Sequence, residues 1–241
     1  MQNNDPNHPK YHHMKQWSHQ IKGEDSWTMF KVISEFVQGF ETLNLIGPCV
    51  SIFGSARIKP EHPYYQLAVN IAQHLTDEGY GIITGGGPGI MEAGNKGAYL
   101  NEGKSVGLNI HLPFEQGANP YVDHDKNINF RYFFIRKVMF VKFAQAFVAL
   151  PGGFGTLDEL FEVVTLTQTG KITPVPIILV GTDFWKGLMD WVKNTMLEKE
   201  HTISAKDLDL LPIVDTPEQV SQIINEFYEA KARELSPNFE L

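Results

Sequence analysis

Apolar residues recur along this chain in two alternating patterns. From Ser26 onward they appear every three or four positions and predict an amphipathic helix that ends near Gly47 and Pro48. The pattern then changes to short runs rich in β-branched residues, which are typical of buried strands. The predicted strands are Val50 to Phe53, Tyr80 to Thr84, Val106 to Ile110, Ala146 to Leu150 and Ile177 to Val180, with a weaker one at Pro212 to Val214.

Helical patterns separate these strands and follow the last of them. They cover Tyr65 to Thr76, Ile90 to Leu100, Arg131 to Phe143, Thr156 to Thr167, Phe184 to Leu197 and Pro217 to Arg233. Strands that alternate with helices and are almost continuously apolar indicate a parallel sheet covered on both faces. The sequence therefore predicts an α/β fold, a single Rossmann-like, doubly wound domain over residues 26–241 with extra terminal helices. Residues 1–25 are predicted to be a flexible polar arm.

Composition narrows the function classes. The chain has 241 residues, of which 42% are apolar and 20% charged, as in soluble globular proteins. The net charge of −8 disfavours a nucleic-acid partner. The arm contains no continuous apolar run, so we expect no secretory signal, no membrane association and a cytoplasmic location. The single Cys49 excludes an intrachain disulfide and a multi-cysteine zinc site. Four histidines in the arm lack supporting carboxylates, and no metal is predicted.

Three turns that follow predicted strands contain glycine. They are Phe53 to Arg57, Thr84 to Glu92 and Leu150 to Thr156. In doubly wound sheets ligands bind beyond the carboxyl ends of the strands, and glycine followed by a helix start offers backbone N–H groups to an anion. Simple tight turns are the alternative interpretation. Neither glycine cluster has the spacing of the dinucleotide fingerprint or the ending of the phosphate loop, which disfavours NAD binding and ATP hydrolysis.

Two of these turns carry a family resemblance. Pro151 to Glu159 matches the signature Pro-Gly-Gly-x-Gly-Thr-x-x-Glu, and Gly85 to Met91 matches Gly-Gly-Gly-x-Gly-x-Met. With the pair Arg136 and Lys137, the chain resembles the LOG (Lonely Guy) family of nucleoside 5′-monophosphate phosphoribohydrolases over roughly Cys49 to Val180. Members of that family are often labelled lysine decarboxylases.

The resemblance implies a reaction and partners. It implies hydrolysis of the N-glycosidic bond of a purine nucleoside 5′-monophosphate, AMP or an N6-modified AMP such as a cytokinin riboside monophosphate, to free base and ribose 5-phosphate. No cofactor is required. A homodimer or larger homo-oligomer is implied as well. The alternative hypothesis is a carrier, similar to molybdenum cofactor carriers, which binds a nucleotide-like cofactor without catalysis.

The resemblance also assigns roles to individual residues. Glu159 and Arg136 are the predicted catalytic pair, although Thr156 to Glu159 also has the form of a helix capping box. Phe133, Arg136, Lys137 and Phe140 fall along one helical stripe that is expected to face the cleft, with a solvated basic face as the alternative. The group that protonates the leaving base is left open among Asp158, Glu92 and Asp123. The predicted substrate-binding residues are Gly54, Ser55, Gly86, Gly87, Gly89, Met91, Lys137, Gly152, Gly153, Gly155 and Thr156.

Overall fold

The structure is a computed structural model that describes residues 24–111, 117–231 and 235–238. Its strands are β1 (Cys49–Phe53), β2 (Gly81–Thr84), β3 (Ser105–Ile110), β4 (Asn127–Phe130), β5 (Ala144–Ala149), β6 (Ile177–Val180) and β7 (Ile213–Val214). Its α-helices are α1 (Glu24–Leu43), α2 (Pro63–Asp77), α3 (Ile90–Leu100), α4 (Phe133–Phe143), α5 (Phe154–Gln168), α6 (Thr182–Trp191), α7 (Ala205–Leu208) and α8 (Pro217–Lys231).

The seven strands described form one parallel sheet in the order β4-β3-β2-β1-β5-β6-β7. The predicted Rossmann-like, doubly wound α/β fold is therefore confirmed. The chain adds strands outward from β1 as far as β4 and then returns to place β5 on the other side of β1. The strand order reverses between β1 and β5, which makes their carboxyl ends the expected ligand position.

The helices cover both faces of the sheet and bury two apolar clusters. On one face, Phe53 packs against the rings of Phe140 and Phe147, with ring centroids 5.1 and 5.8 Å away. On the other face, residues of α2, α3 and α8 pack against the apolar side chains of β1, β2, β5 and β6. Because both faces are covered, the central strands are buried along their whole length.

The predicted elements need several corrections. Strand β4 escapes the sequence pattern because its exposed and buried residues alternate and two of its four residues are asparagine. Helix α4 begins at Phe133 rather than Arg131, since the carboxylate of Glu35 accepts hydrogen bonds from the backbone N–H groups of Arg131 and Tyr132 ahead of the helix. The helix predicted from Phe184 to Leu197 consists of two segments: α6 ends at Trp191, and a π-helix over Val192–Leu197 follows it. The predicted arm lies almost entirely outside the described residues, as does the end predicted for the last helix.

Candidate functional site

The three glycine turns meet above the reversal point of the sheet. The backbone N–H of Ser55, after β1, donates to the carbonyl of Pro151, after β5, across 3.0 Å. The carbonyl of Ser55 accepts from the N–H of Ile90, the first residue of α3, across 3.0 Å. One peptide segment thereby joins all three turns. A cavity of about 1000 Å³ opens at this junction.

Most of the predicted site residues line this cavity. They are Gly54, Ser55, Met91, Arg136, Gly152, Gly153, Gly155, Thr156 and Glu159. The second glycine turn contributes less of the lining than the sequence suggests: Gly85 lines the cavity, whereas Gly86, Gly87 and Gly89 do not. Lys137 also stands outside the lining.

Sequence reasoning misses several residues that line the cavity. They are Arg57, Ile58, His62, Tyr64, Gly85, Ile110, Phe154 and Phe184. Arg57, Gly85 and Phe154 lie in the glycine turns that the sequence singles out, although no binding role is predicted for them, and position just beyond a strand could have pointed to Ile58 and Phe184. No such signal marks His62 and Tyr64, whose rings stack 5.4 Å apart at the start of α2. The ring of Tyr64 packs against Gly181, so it is the tertiary structure that brings this pair to the cavity.

The start of helix α5 is open to the cavity. Its N-cap is Gly153, and no side chain of the described residues caps the helix. Thr156 therefore lies in the first turn rather than at the cap, so the predicted capping box is wrong. A Cβ atom at Gly153 or Gly155 would meet no atom of the described residues within 4 Å, whereas one at Gly152 would overlap the side chain of Thr156. The first N–H groups of α5, which have no partner within the helix, can receive an anion here.

Glu159 is a buried carboxylic acid on the cavity wall. Its exposed fraction is 9%, and it lies on the face of α5 that packs toward the sheet. Burial raises the pKa of Glu159, while the positive charges of Lys137 and Arg136 act in the opposite direction. A carboxylate held out of water beside positive charge can stabilise a cation that forms on a bound substrate.

Arg136 lies close to the second glycine turn. Its Nε donates to the carbonyl of Leu108 across 2.8 Å, and its guanidinium lies 5.2 Å from the ring centroid of Phe140. A Cβ atom at Gly85 would stand 2.5 Å from the guanidinium and 2.6 Å from the sulfur of Met91. Glycine at position 85 thus makes room for both side chains. Of the predicted helical stripe, Phe133 and Arg136 reach the cavity, while Phe140 is buried beneath Arg136.

The other glycines of the second turn build its framework. Gly86 and Gly89 have positive φ angles of 72° and 70°. The side-chain amide of Asn119 donates to the carbonyls of Gly86 and Gly87, 3.1 Å in each case. Asn119 also donates to Asn95, which is fully buried and bonded to Ser105. This polar network holds the turn in its shape from behind the cavity.

The three candidate acids for the leaving base separate in space. The side chain of Glu92 accepts a hydrogen bond from the hydroxyl of Tyr65 across 2.7 Å and does not line the cavity. Asp123 accepts from the N–H of Ser105, at the start of β3, and therefore lies at the opposite end of the sheet from the cavity. Asp158 lines the cavity.

Two further findings concern metal ions and membranes. Among the residues that the structure describes, no group of three or more His, Cys, Asp or Glu side chains is arranged to hold a metal ion. Within the same ranges, none of the helices has the length and apolar character needed to span a membrane.

Comparison with known proteins identifies relatives of the chain. A family model described as "Possible lysine decarboxylase" matches residues 91–224. The cytokinin riboside 5′-monophosphate phosphoribohydrolase LOG of Oryza sativa subsp. japonica is 32% identical over 139 residues, which is 56% of this chain and 56% of the relative. A protein of Mycobacterium marinum named as the same hydrolase is 28% identical over 167 residues, 68% of this chain and 87% of its own. The matched stretches span only 56% and 61% of two rice relatives.

Solved structures share the fold. The molybdenum cofactor binding protein of Rippkaea orientalis superposes with a TM-score of 0.56 at 22% identity, covering 76% of this chain and 98% of that one. The molybdenum cofactor carrier protein of Chlamydomonas reinhardtii has a TM-score of 0.54 at 18% identity, with 76% and 99% covered. At these identities the likeness concerns the fold alone.

Proposed function

This chain belongs to the family described as possible lysine decarboxylases, the LOG family, and on that basis we propose that it hydrolyses the N-glycosidic bond of a purine nucleoside 5′-monophosphate. The products are the free base and ribose 5-phosphate. The proposed substrates are AMP or an AMP modified at N6, as in the cytokinin riboside monophosphates named for the relatives.

One observation carries this proposal: an uncapped helix start and a buried carboxylic acid lie on the same helix and border the same cavity. Phe154, the first residue of α5, precedes Glu159 by five residues, or about 7.5 Å of helix rise. Side chains of a helix lean toward its N-terminus, which brings the Glu159 carboxylate nearer to the helix start. A nucleotide whose phosphate binds at that start would have its ribose close to Glu159.

We assign the phosphate to the turn from Gly152 to Thr156. The helix dipole contributes about 0.3–1 kcal/mol to anion binding, and up to ~2 kcal/mol where the site is partly buried. Hydrogen bonds from backbone N–H groups to a charged phosphate add roughly 1.5–3 kcal/mol each. The glycines at 153 and 155 leave space beside these N–H groups. Gly54, Ser55, Gly85 and Met91 line the cavity and would border the ribose and base, and Met91 supplies the apolar contact.

In the proposed reaction, the bond between C1′ and the base nitrogen breaks and its electron pair leaves with the base. The ribose then carries positive charge, which the ionised Glu159 stabilises from within the cavity. Water forms the new C1′–O bond under the orientation of the same carboxylate, and the proton that this water loses is transferred to the nitrogen of the departing base. Arg136 offers a planar guanidinium for the phosphate or for charge that develops in the transition state. Of the candidate acids only Asp158 lines the cavity.

We further propose that the chain works as a homodimer or larger assembly in the cytoplasm. A groove of about 630 Å³ runs along the outer face of α5 and includes Phe154, Leu157, Phe161 and Leu166. Phe154 is 91% exposed and borders both this groove and the cavity. A second copy seated on this face would cover the apolar groove beside the site. Light scattering in solution tests the assembly, and a monomeric mass would contradict it.

The activity is tested by incubating the protein with AMP and with N6-isopentenyl-AMP and separating free base by chromatography. We expect base release by the natural sequence, with a loss of about 10²–10⁴-fold in Glu159→Gln. Glu226→Gln, an exposed change on α8, is the matched control and should leave the rate unchanged. Binding of both nucleotides without release of base by the natural sequence would favour the carrier hypothesis and refute the hydrolase.

A further inference from the structure

Lys137 lies among three carboxylates of helix α5. Its Nζ atom is 2.6 Å from Glu162, 2.9 Å from Asp158 and 3.8 Å from Glu159. The lysine side chain is only 16% exposed. Burial acts to lower the pKa of Lys137, but hydrogen bonds to Glu162 and Asp158 raise it above its ordinary value. The lysine therefore carries a positive charge at neutral pH.

Arg136 and Lys137 are adjacent on α4, but their side chains point in different directions. Arg136 lines the cavity and donates to a carbonyl of β3, whereas Lys137 does not line the cavity and contacts α5 instead. Consecutive residues of a helix are about 100° apart around its axis, since 3.6 residues complete a turn. A substrate in the cavity therefore meets the guanidinium of Arg136, while the ammonium of Lys137 stands behind the wall that carries Glu159.

The position of Lys137 matters because Glu159 is buried. The charged groups that act on the Glu159 carboxyl are Lys137 and Arg136 on α4, and Asp158 and Glu162 on its own helix. The two acidic neighbours and burial favour the neutral carboxyl, and the two basic neighbours oppose them. Asp158 and Glu162 also hold Lys137 in place, so their negative charges are largely offset by the same ammonium group.

We propose that Lys137 is a positioning residue that holds the Glu159 carboxylate ionised and in place from behind the cavity wall, rather than a ligand of the substrate phosphate. This inference rests on the proposed function, in which Glu159 acts as a carboxylate. It separates the roles of the two neighbouring basic residues, Arg136 toward the substrate and Lys137 toward the carboxylate.

The test compares the pH dependence of kcat/KM in the natural sequence, Lys137→Met and Lys137→Arg. An opposite charge at this distance lowers the pKa of a carboxyl by about 1–3, so its removal should move the acidic limb of the profile to a higher pH by that amount. At a pH below the limb, kcat/KM should be roughly ten- to a thousandfold lower than in the natural sequence. Lys137→Arg should keep the limb near its original position. Lys186→Met, which removes an exposed lysine on α6, is the control for loss of one positive charge.

A purely structural role would lower thermal stability and reduce the rate equally at all pH values without moving the limb. That result, or an unchanged profile in Lys137→Met, would overturn the inference. If the natural sequence hydrolyses no nucleotide, the proposed function fails, and carbon-13 NMR of the glutamate carboxyls decides the inference separately. Glu159→Gln identifies the resonance. A higher titration midpoint of Glu159 in Lys137→Met supports the inference, and an unchanged midpoint overturns it.

Discussion

Replacing Gly155 with alanine separates the stability of the fold from binding at the start of helix α5. A Cβ atom at this position meets no atom of residues 24–111, 117–231 or 235–238 within 4 Å, and Gly155 does not have a positive φ angle. The added methyl group therefore causes no clash within the chain. Alanine in place of glycine stabilises a helix interior by about 0.8–1 kcal/mol, and the gain is smaller in the first turn. For a chain of this size we expect a Tm that is unchanged or higher by up to about 4 °C.

The same methyl group should weaken nucleotide binding. Gly155 lines the cavity, and the space beside it is where the proposed phosphate approaches the N–H groups of α5. Loss of one hydrogen bond to a charged phosphate costs about 1.5–3 kcal/mol, which corresponds to roughly ten- to hundredfold in affinity or kcat/KM. Titration calorimetry with AMP and base-release kinetics measure this loss, and thermal denaturation measures stability.

Gly187→Ala is the matched control for this change. Gly187 lies inside helix α6, has open space at its Cβ position and does not line the cavity. Both variants should be as stable as the natural sequence or more so, and only Gly155→Ala should lose affinity and activity. If Gly155→Ala binds AMP and releases base at the natural rate, the phosphate does not bind at the start of α5.

Three further changes test the proposed catalytic pair, Glu159 and Arg136, and the junction of the three glycine turns. Burial raises the pKa of Glu159 in the folded protein, so ionisation of this carboxyl lowers the free energy of unfolding at pH values above its unfolded pKa. Glu159→Gln removes this cost and should be the more stable protein in denaturant titrations at pH 7–8. The difference in free energy of unfolding should vanish as the pH falls to about 4, near the pKa of an unfolded glutamate. Arg136→Lys keeps the charge but loses the planar fork, so kcat/KM should fall at least about tenfold in steady-state kinetics, and an unchanged value would contradict the assigned role. Gly54→Ala places a Cβ against the side chain of Ile90, so thermal denaturation should show a loss of about 1–3 kcal/mol, whereas an unchanged Tm would refute the close packing.

The fold class and the glycine turns that border the candidate site can be predicted from the order of residues alone. The strands from β1 to β6 other than β4 are buried along nearly their whole length because the sheet is covered on both faces, and their mostly apolar runs stand out from the helical pattern between them. The rule that ligands bind beyond strand ends then directs attention to the glycine turns after β1, β2 and β5, which meet at the cavity. These features are local in the chain, so they can be recognised without its three-dimensional arrangement.

Which side chains face one another depends instead on how the elements pack. Whether Thr156 caps α5 depends on which residue begins the helix, and the sequence motif does not specify that residue. The helix begins at Phe154, so Thr156 lies inside its first turn. Lys137 turns from the cavity to α5 because the carboxylates of Asp158 and Glu162 stand beside it, and more than twenty residues of chain separate it from those partners. His62 and Tyr64, at the start of α2, and Phe184, in α6, reach the cavity through the packing of these helices. Contacts of this kind follow from packing between helices, whose relative placement no local pattern encodes.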